Sequence, residues 1–225
     1  MRDGPPPRDE PALARRAAAA GGTPAEVVAR YLAAYGVPAR RLRKHARETA
    51  ILARVLADLP ARAVLDSPCG WGRLAPAIAG NGRTIVFADR SAERLAILRS
   101  LGLLRLGAPL RAEALALPFR DRCFDLVLSA HLNYHFDRRE DRLLHLRECL
   151  RVARAAALVS YHDAFSPRRA IRLLGSLLRG RPPLRALAAR DLRREAAAAG
   201  FVLAALIPLS RFSGHRYALF RRAPT

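Results

Sequence analysis

Lysine is almost missing from this chain: Lys44 is the only one, so 39 of the 40 basic residues are arginine. Cysteine is scarce as well. Cys69, Cys123 and Cys149 are too few and too irregularly spaced for a disulfide framework or a zinc site, which fits a reducing compartment. No stretch approaches the roughly 20 consecutive apolar residues that span a bilayer. The opening MRDGPPPRDE is proline-rich and charged rather than apolar, so a soluble, cytoplasmic chain is expected. Acidic residues number only 19, leaving a net charge of +21. Such a charge ordinarily points to a polyanionic partner, whether nucleic acid or an anionic membrane surface. The lack of lysine weakens that inference, because coding bias toward arginine and alanine gives the same excess with no partner at all.

What is present suits one domain: 225 residues, 51% hydrophobic. Residues 1–23 are rich in Pro, Ala and Arg and lack an apolar period, so they read as a disordered tail. Residues 24–60 turn helical, with Val27, Val28, Tyr31 and Leu32 in one stretch and Leu42, Leu52, Val55, Leu56 and Leu59 in a second. From 61 to 161, short apolar strands alternate with helical stretches, the mark of βαβ units and a parallel sheet. The strand candidates are 63–65, 84–88, 109–112, 125–129 and 156–160, with helices over 73–79, 92–101 and 138–151. Residues 162–200 read as a helical insert and 201–225 as a closing strand pair turned at Ser213 and Gly214. The expected fold is α/β and Rossmann-like, a mostly parallel seven-stranded sheet with helices on both faces.

The segment Val64-Leu65-Asp66-Ser67-Pro68-Cys69-Gly70-Trp71-Gly72-Arg73 is a strand feeding a glycine turn that opens a helix. Glycines there let a ligand approach the backbone. Gly70, Gly72 and Ala75 satisfy a loose dinucleotide fingerprint, which keeps an NAD-dependent oxidoreductase in view. Asp66 argues against it, since a carboxylate beside the turn repels a pyrophosphate and suits a cationic group. A second reading has Asp66 merely bracing the turn. Asp89 ends the next strand, where an acid binds ribose hydroxyls in nucleotide-binding folds; its alternative role is an N-cap for the helix near Ser91.

Two further segments follow, Glu113-Ala114-Leu115-Ala116-Leu117-Pro118-Phe119 and Cys123-Phe124-Asp125-Leu126-Val127-Leu128-Ser129-Ala130. In order and spacing the four segments resemble the class I S-adenosylmethionine-dependent methyltransferases, over about residues 64–160. The DxPCGxGR form of the first motif resembles a bacterial subgroup. The resemblance implies S-adenosylmethionine as cofactor. It implies a cofactor site drawn from Asp66, Ser67, Cys69, Gly70, Gly72, Arg73, Asp89, Arg90, Glu113, Ala114, Ser129 and Ala130. Glu113 would meet the adenine amino group, the Ala114 backbone a ring nitrogen, and Ser129 with Ala130 the pocket floor. Two departures stand out: Pro68 replaces the first glycine of the motif, and Ala155-Ala156-Ala157 replaces the glycine pair before the fifth strand.

His131 and His135 are four apart, a metal-site spacing on a helix, but no third ligand accompanies them and no metal is expected. His135 is the acid/base candidate, since the loop after the fourth strand borders the transferred methyl in the resembling family; His162 is a second. Holding the loop is the alternative role for His135. The implied activity is methyl transfer to a small-molecule or lipid-linked acceptor. A nucleic-acid methyltransferase is favoured by charge but lacks a base-flipping motif or RNA module. A non-catalytic cofactor-binding protein is the remaining class. Over 168–180, Ala170, Ile171, Leu173, Leu174, Leu177 and Leu178 share one helical face opposite Arg168, Arg169, Arg172 and Arg179. This is either a packed surface helix or a lid able to lie on an anionic membrane.

Overall fold

The computed structural model describes residues 9–165, 185–209 and 214–224. Three helices come first: α1 (Glu10–Ala19), α2 (Pro24–Ala34) and α3 (Ala39–Ala57). Then β1 (Ala63–Asp66), α4 (Ala75–Ile78), β2 (Thr84–Asp89), α5 (Ala92–Ser100), β3 (Gly107–Arg111), β4 (Phe124–Ser129), α6 (Arg139–Val152) and β5 (Ala153–His162) alternate. The described chain closes with α7 (Ala189–Ala198), β6 (Phe201–Pro208) and β7 (His215–Arg222).

The seven strands form one sheet in the order β3-β2-β1-β4-β5-β7-β6. Strands β1 to β5 run parallel, whereas β7 pairs antiparallel with both β5 and β6. The expected mostly parallel α/β sheet is therefore what the chain builds. Alternate side chains of a strand point to opposite faces, and both faces here are buried. Val64, Leu126, Leu128 and Leu158 join a core with α1 to α5. Leu65, Val127 and Val159 join a second core with α6 and α7. Covering both faces is what a parallel sheet requires.

The N-terminus departs from expectation. The predicted tail is, from Glu10 onward, a helix that buries Ala14 and Ala17. Its N-cap is the Asp9 side chain, which accepts from the Ala12 N–H at 2.9 Å. The Glu10 carboxylate then ties the helix down, accepting from the Tyr31 hydroxyl at 2.9 Å and pairing with Arg94 at 3.0 Å. Helix α2 begins with a capping box in which Thr23 and Glu26 satisfy each other's backbone N–H.

Other boundaries move slightly. β3 starts at Gly107, where a Cβ would lie 2.0 Å from the Ile85 carbonyl oxygen, so only glycine lets β2 and β3 close at this point. β5 extends over ten residues to His162. The amphipathic pattern at 168–180 lies outside the described residues. No helix among the described residues is long and apolar enough to cross a membrane.

Candidate active site

In open α/β sheets ligands bind beyond the carboxyl ends of the parallel strands, where the strand order reverses. Here that point lies between β1 and β4. Asp66 is the last residue of β1 and almost wholly buried. Its Oδ2 has no hydrogen-bond partner among the described residues. Burial pushes its pKa up to about 8, with Arg73 opposing the rise and Asp89 adding to it. The alternative in which Asp66 caps the turn leaves that oxygen unexplained. A buried acceptor of this kind invites a cationic donor.

The turn after Asp66 is fixed by backbone bonds to both neighbouring strands. Ser67 N–H donates to Leu128 O and Cys69 N–H to Ala88 O, each at 2.9 Å. The Ser67–Pro68 bond is cis. The Cys69 thiol is buried and its pKa is raised far out of reach by that burial, so it is no nucleophile. The two glycines divide their tasks. Gly70 has φ +57 and open space where a Cβ would stand, whereas at Gly72 (φ +81) a Cβ would come within 3.0 Å of Leu98 and Leu103. Gly70 therefore leaves room on the ligand side, and Gly72 lets the turn seat against α5 and the turn that follows it.

Asp89 closes the far side of this pocket. Its Oδ2 accepts the Gly70 N–H at 2.8 Å and its Oδ1 the Ser91 N–H at 2.9 Å. Ser91, not Asp89, is the N-cap of α5, accepting from the Arg94 N–H. Asp89 thus braces the glycine turn, and each of its oxygens retains a lone pair for a further donor. Arg90 is exposed, and its carbonyl accepts from Arg111.

Glu113 is exposed in a short turn closed by Ala116 N–H to Glu113 O, with half-buried Ala114 between. Glu148 and Arg151 of α6 clamp the following loop: Glu148 accepts the Leu117 N–H, and Arg151 donates to the carbonyls of Leu117 and Phe119. On the floor, Ala130 is buried, while the Ser129 hydroxyl is engaged with His145 Nε2 at 2.9 Å. Ser129 can therefore offer backbone rather than its hydroxyl.

Beyond β4 and β5 lies a second group of residues. His131 (φ +63) follows β4, His162 ends β5 and His215 begins β7; because β7 is antiparallel, its start lies at the same sheet edge. Tyr134 joins them, its ring centroid 4.4 Å from His162 and 5.3 Å from His215. From α3, Glu48 reaches the same place and is bonded to His131 Nε2. Arg73 pairs with Glu48 at 2.6 Å and contacts His45 at 3.0 Å, so its side chain serves this group rather than standing free in the cofactor turn.

The sequence reading singled out His135 and His162. His162 is in the group. His135 is exposed at the rim, its carbonyl accepting from Arg185 and its ring 4.7 Å from Tyr134. The imidazole held by a carboxylate is His131. His131 and His135 do not share a helix, since only a 3-10 turn over Asn133–His135 intervenes. Glu48, Lys44 and His215 went unnoticed as site residues. Two signals were available: Glu48 lies on the same stripe of α3 as Leu52, Val55 and Leu56, and Lys44 is the chain's sole lysine. Glu48, His131 and His215 also bring three ligand-type atoms within 4.8 Å of one another, a grouping that no spacing in the sequence foretells.

Residues 65–160 match the family described as a methyltransferase domain. Among solved structures, the chain is similar to the magnesium protoporphyrin IX methyltransferase of Synechocystis PCC 6803 with bound SAH. That likeness has TM-score 0.66 and 18% identity, over 81% of this chain and 85% of the other. A SAM-dependent methyltransferase of Methanosarcina mazei aligns with TM-score 0.60 and 12% identity, over 76% of this chain and 98% of that one. The cyclase SpnF has the same fold at TM-score 0.59 and 19% identity, over 80% and 81% of the two chains. No curated protein matches. An unpartnered carboxylate oxygen at the end of β1 and open space at Gly70 fit a cofactor that carries an ammonium group. The β1 end of the seven-stranded sheet thus lies within residues 65–160, the part of the chain that matches the methyltransferase domain family, and this pairing of site and match is that of an S-adenosylmethionine-dependent methyltransferase.

Proposed function

We propose that this methyltransferase acts on a small-molecule acceptor bound beyond the ends of β4 and β5. The observation that carries this reading is the ring packing at that edge. Tyr134, His131, His162 and His215 pack ring against ring under α3, with centroid separations from 4.4 to 6.3 Å. Such a lining suits a compact ligand better than a nucleic-acid strand, which needs an open groove with stacking platforms.

In this reading Asp66 takes the methionyl ammonium and Asp89 accepts from the ribose hydroxyls with its remaining lone pairs. Glu113 and the Ala114 N–H meet the adenine edge, and Ala130 floors the pocket. The cofactor supplies an electrophilic methyl carbon on a sulfonium. The chain contributes position: β1 and β4 are hydrogen-bonded neighbours, so a ligand on the Asp66 side and one on the His131 side meet across a single strand spacing.

Calorimetry with S-adenosylmethionine, its demethylated product and NAD tests the cofactor site; the first two should bind and NAD should not. Incubation with methyl-labelled S-adenosylmethionine and fractionated lysate tests the acceptor, with label expected among small molecules. A lipid-linked acceptor is favoured by one observation only, the basic amphipathic pattern over 168–180. Label in the lipid fraction, with binding to anionic vesicles that weakens with salt, would select it.

A further inference from the structure

We propose that Glu48, His131 and Tyr134 form a proton relay that accepts the proton of an acidic, phenol-type hydroxyl on the methyl acceptor. The proposal rests on the small-molecule reading above. Its geometry is a chain of three groups drawn from separate elements. Glu48 of α3, 3% exposed, is bonded to His131 Nε2, and the opposite ring nitrogen, Nδ1, lies 2.7 Å from the Tyr134 hydroxyl. A carboxylate can only accept, so Nε2 carries the hydrogen. Nδ1 is then bare and receives the Tyr134 O–H. Half-buried Tyr134 is the member that would touch the acceptor, and His131 and Glu48 act through it.

The surroundings keep the relay in its accepting state. Burial raises the Glu48 pKa, but its bond to His131 and the nearby Arg73 outweigh that and hold it down at about 2, so the carboxylate stays ionised. Burial lowers the His131 pKa, Lys44 and Arg73 lower it further, and Glu48 opposes them; the imidazole is neutral at physiological pH. Lys44 stands 3.3 Å from the same Nδ1. His215 of β7 also faces this ring, Tyr217 of β7 donates to Glu48 Oε1, and His162 of β5 lies behind Tyr134. His215 is neutral too, its pKa pushed to about 2 by burial and by Lys44.

Lys44 has a meaning that composition alone does not supply. The one lysine in a chain whose 39 other Lys/Arg positions are all arginine stands beside this imidazole. Unlike arginine, it can lose its proton when buried, and burial indeed lowers its pKa. Arg73 speaks against reading Glu48, His131 and His215 as a metal site, because a dication would join this permanent cation around the one buried carboxylate it already pairs with, and like charges in such a medium repel strongly.

The step balances as follows. The acceptor hydroxyl gives its proton to the Tyr134 oxygen while the Tyr134 proton passes to His131 Nδ1, leaving an imidazolium beside Glu48. The acceptor oxygen's electron pair forms the bond to the methyl carbon; the carbon–sulfur pair stays on sulfur, which becomes a neutral thioether. His131 then returns its proton through Tyr134 to water. A relay of this kind helps only an acceptor that must lose a proton to become nucleophilic. Neutral amines and thiolates need no such help, and a phenol, with a pKa near 10, is far closer to imidazole than an alkyl alcohol is.

The test uses the full chain with two phenols at about pH 8: 4-methylphenol, which stays protonated, and 4-nitrophenol, which is largely ionised. Thiophenol and aniline serve as comparison acceptors. Wild type should methylate the phenols. Tyr134→Phe and Glu48→Gln should lower the rate with 4-methylphenol about 100-fold and with 4-nitrophenol far less, while S-adenosylmethionine affinity measured by calorimetry holds. An equal loss with both phenols, no loss with either, or transfer confined to thiophenol or aniline overturns the relay. Cofactor binding with no transfer to any phenol overturns it as well, whereas absent cofactor binding in wild type overturns the methyltransferase reading instead. Visible absorption from bound cobalt(II) that disappears in His215→Ala would make the cluster a metal site and also end the proposal.

Discussion

Asp66, the residue proposed to take the cofactor's ammonium, also bears on stability. Its pKa, about 8 in the folded chain, exceeds the unfolded value near 3.9, so the folded state holds an extra proton between these limits. The associated stability is complete below about pH 4 and is lost as pH rises through about 8. The ligand-free protein should therefore melt at falling temperature between about pH 5 and pH 9, and Asp66→Asn should flatten that slope in a calorimetric scan. An ammonium bound at Asp66 favours the ionised form, so the same substitution should also weaken cofactor binding. The two glycines of the turn give a second contrast. Gly72→Ala forces a Cβ against Leu98 and Leu103 at positive φ and should cost about 1–3 kcal/mol of stability by denaturant titration. Gly70→Ala meets nothing among the described residues, so beyond the strain of its positive φ its larger effect should fall on cofactor affinity measured by calorimetry.

At the scale of elements, the Glu10 carboxylate ties α1 to α2 and α5. Glu10→Gln leaves the helix intact but weakens the bonds to Tyr31 and Arg94, and should lower stability by about 1 kcal/mol in thermal or denaturant unfolding. This helix escaped the sequence reading because it buries only Ala14 and Ala17, whose single methyls give little apolar contrast in a run of alanine and arginine. The glycine turn after β1 and the strands that end at Asp89 and Ser129 were legible for the opposite reason, since each is a local apolar run closed by a turn signal. The edge cluster was not, because Glu48 and His131 are 83 residues apart and meet only through packing of α3 on the sheet. A carboxylate on the apolar stripe of α3 was nonetheless a local contradiction that such packing had to resolve.

For the whole molecule, part of the arginine excess binds the chain's own carbonyls. Arg142 donates to the carbonyls of Phe136 and Asp137, Arg151 to those of Leu117 and Phe119, and Arg222 to those of Ala153, Arg154 and Ala199. These guanidinium groups satisfy loop and strand-end carbonyls, work that needs five donors in a planar fork rather than a polyanionic partner. The charge they bring remains. With a net +21 the folded chain repels itself, and screening should raise its melting temperature between about 10 mM and 150 mM salt. A melting temperature that falls over that range would show that ion pairs such as Arg147–Glu195 outweigh the repulsion. The place of β7 carries a last consequence. It is the last strand in chain order, yet it sits between β5 and β6 and brings His215 to the site. During synthesis the edge of β5 therefore stays open until residues 215–222 emerge, so the proposed acceptor side is the last part of the sheet to be completed.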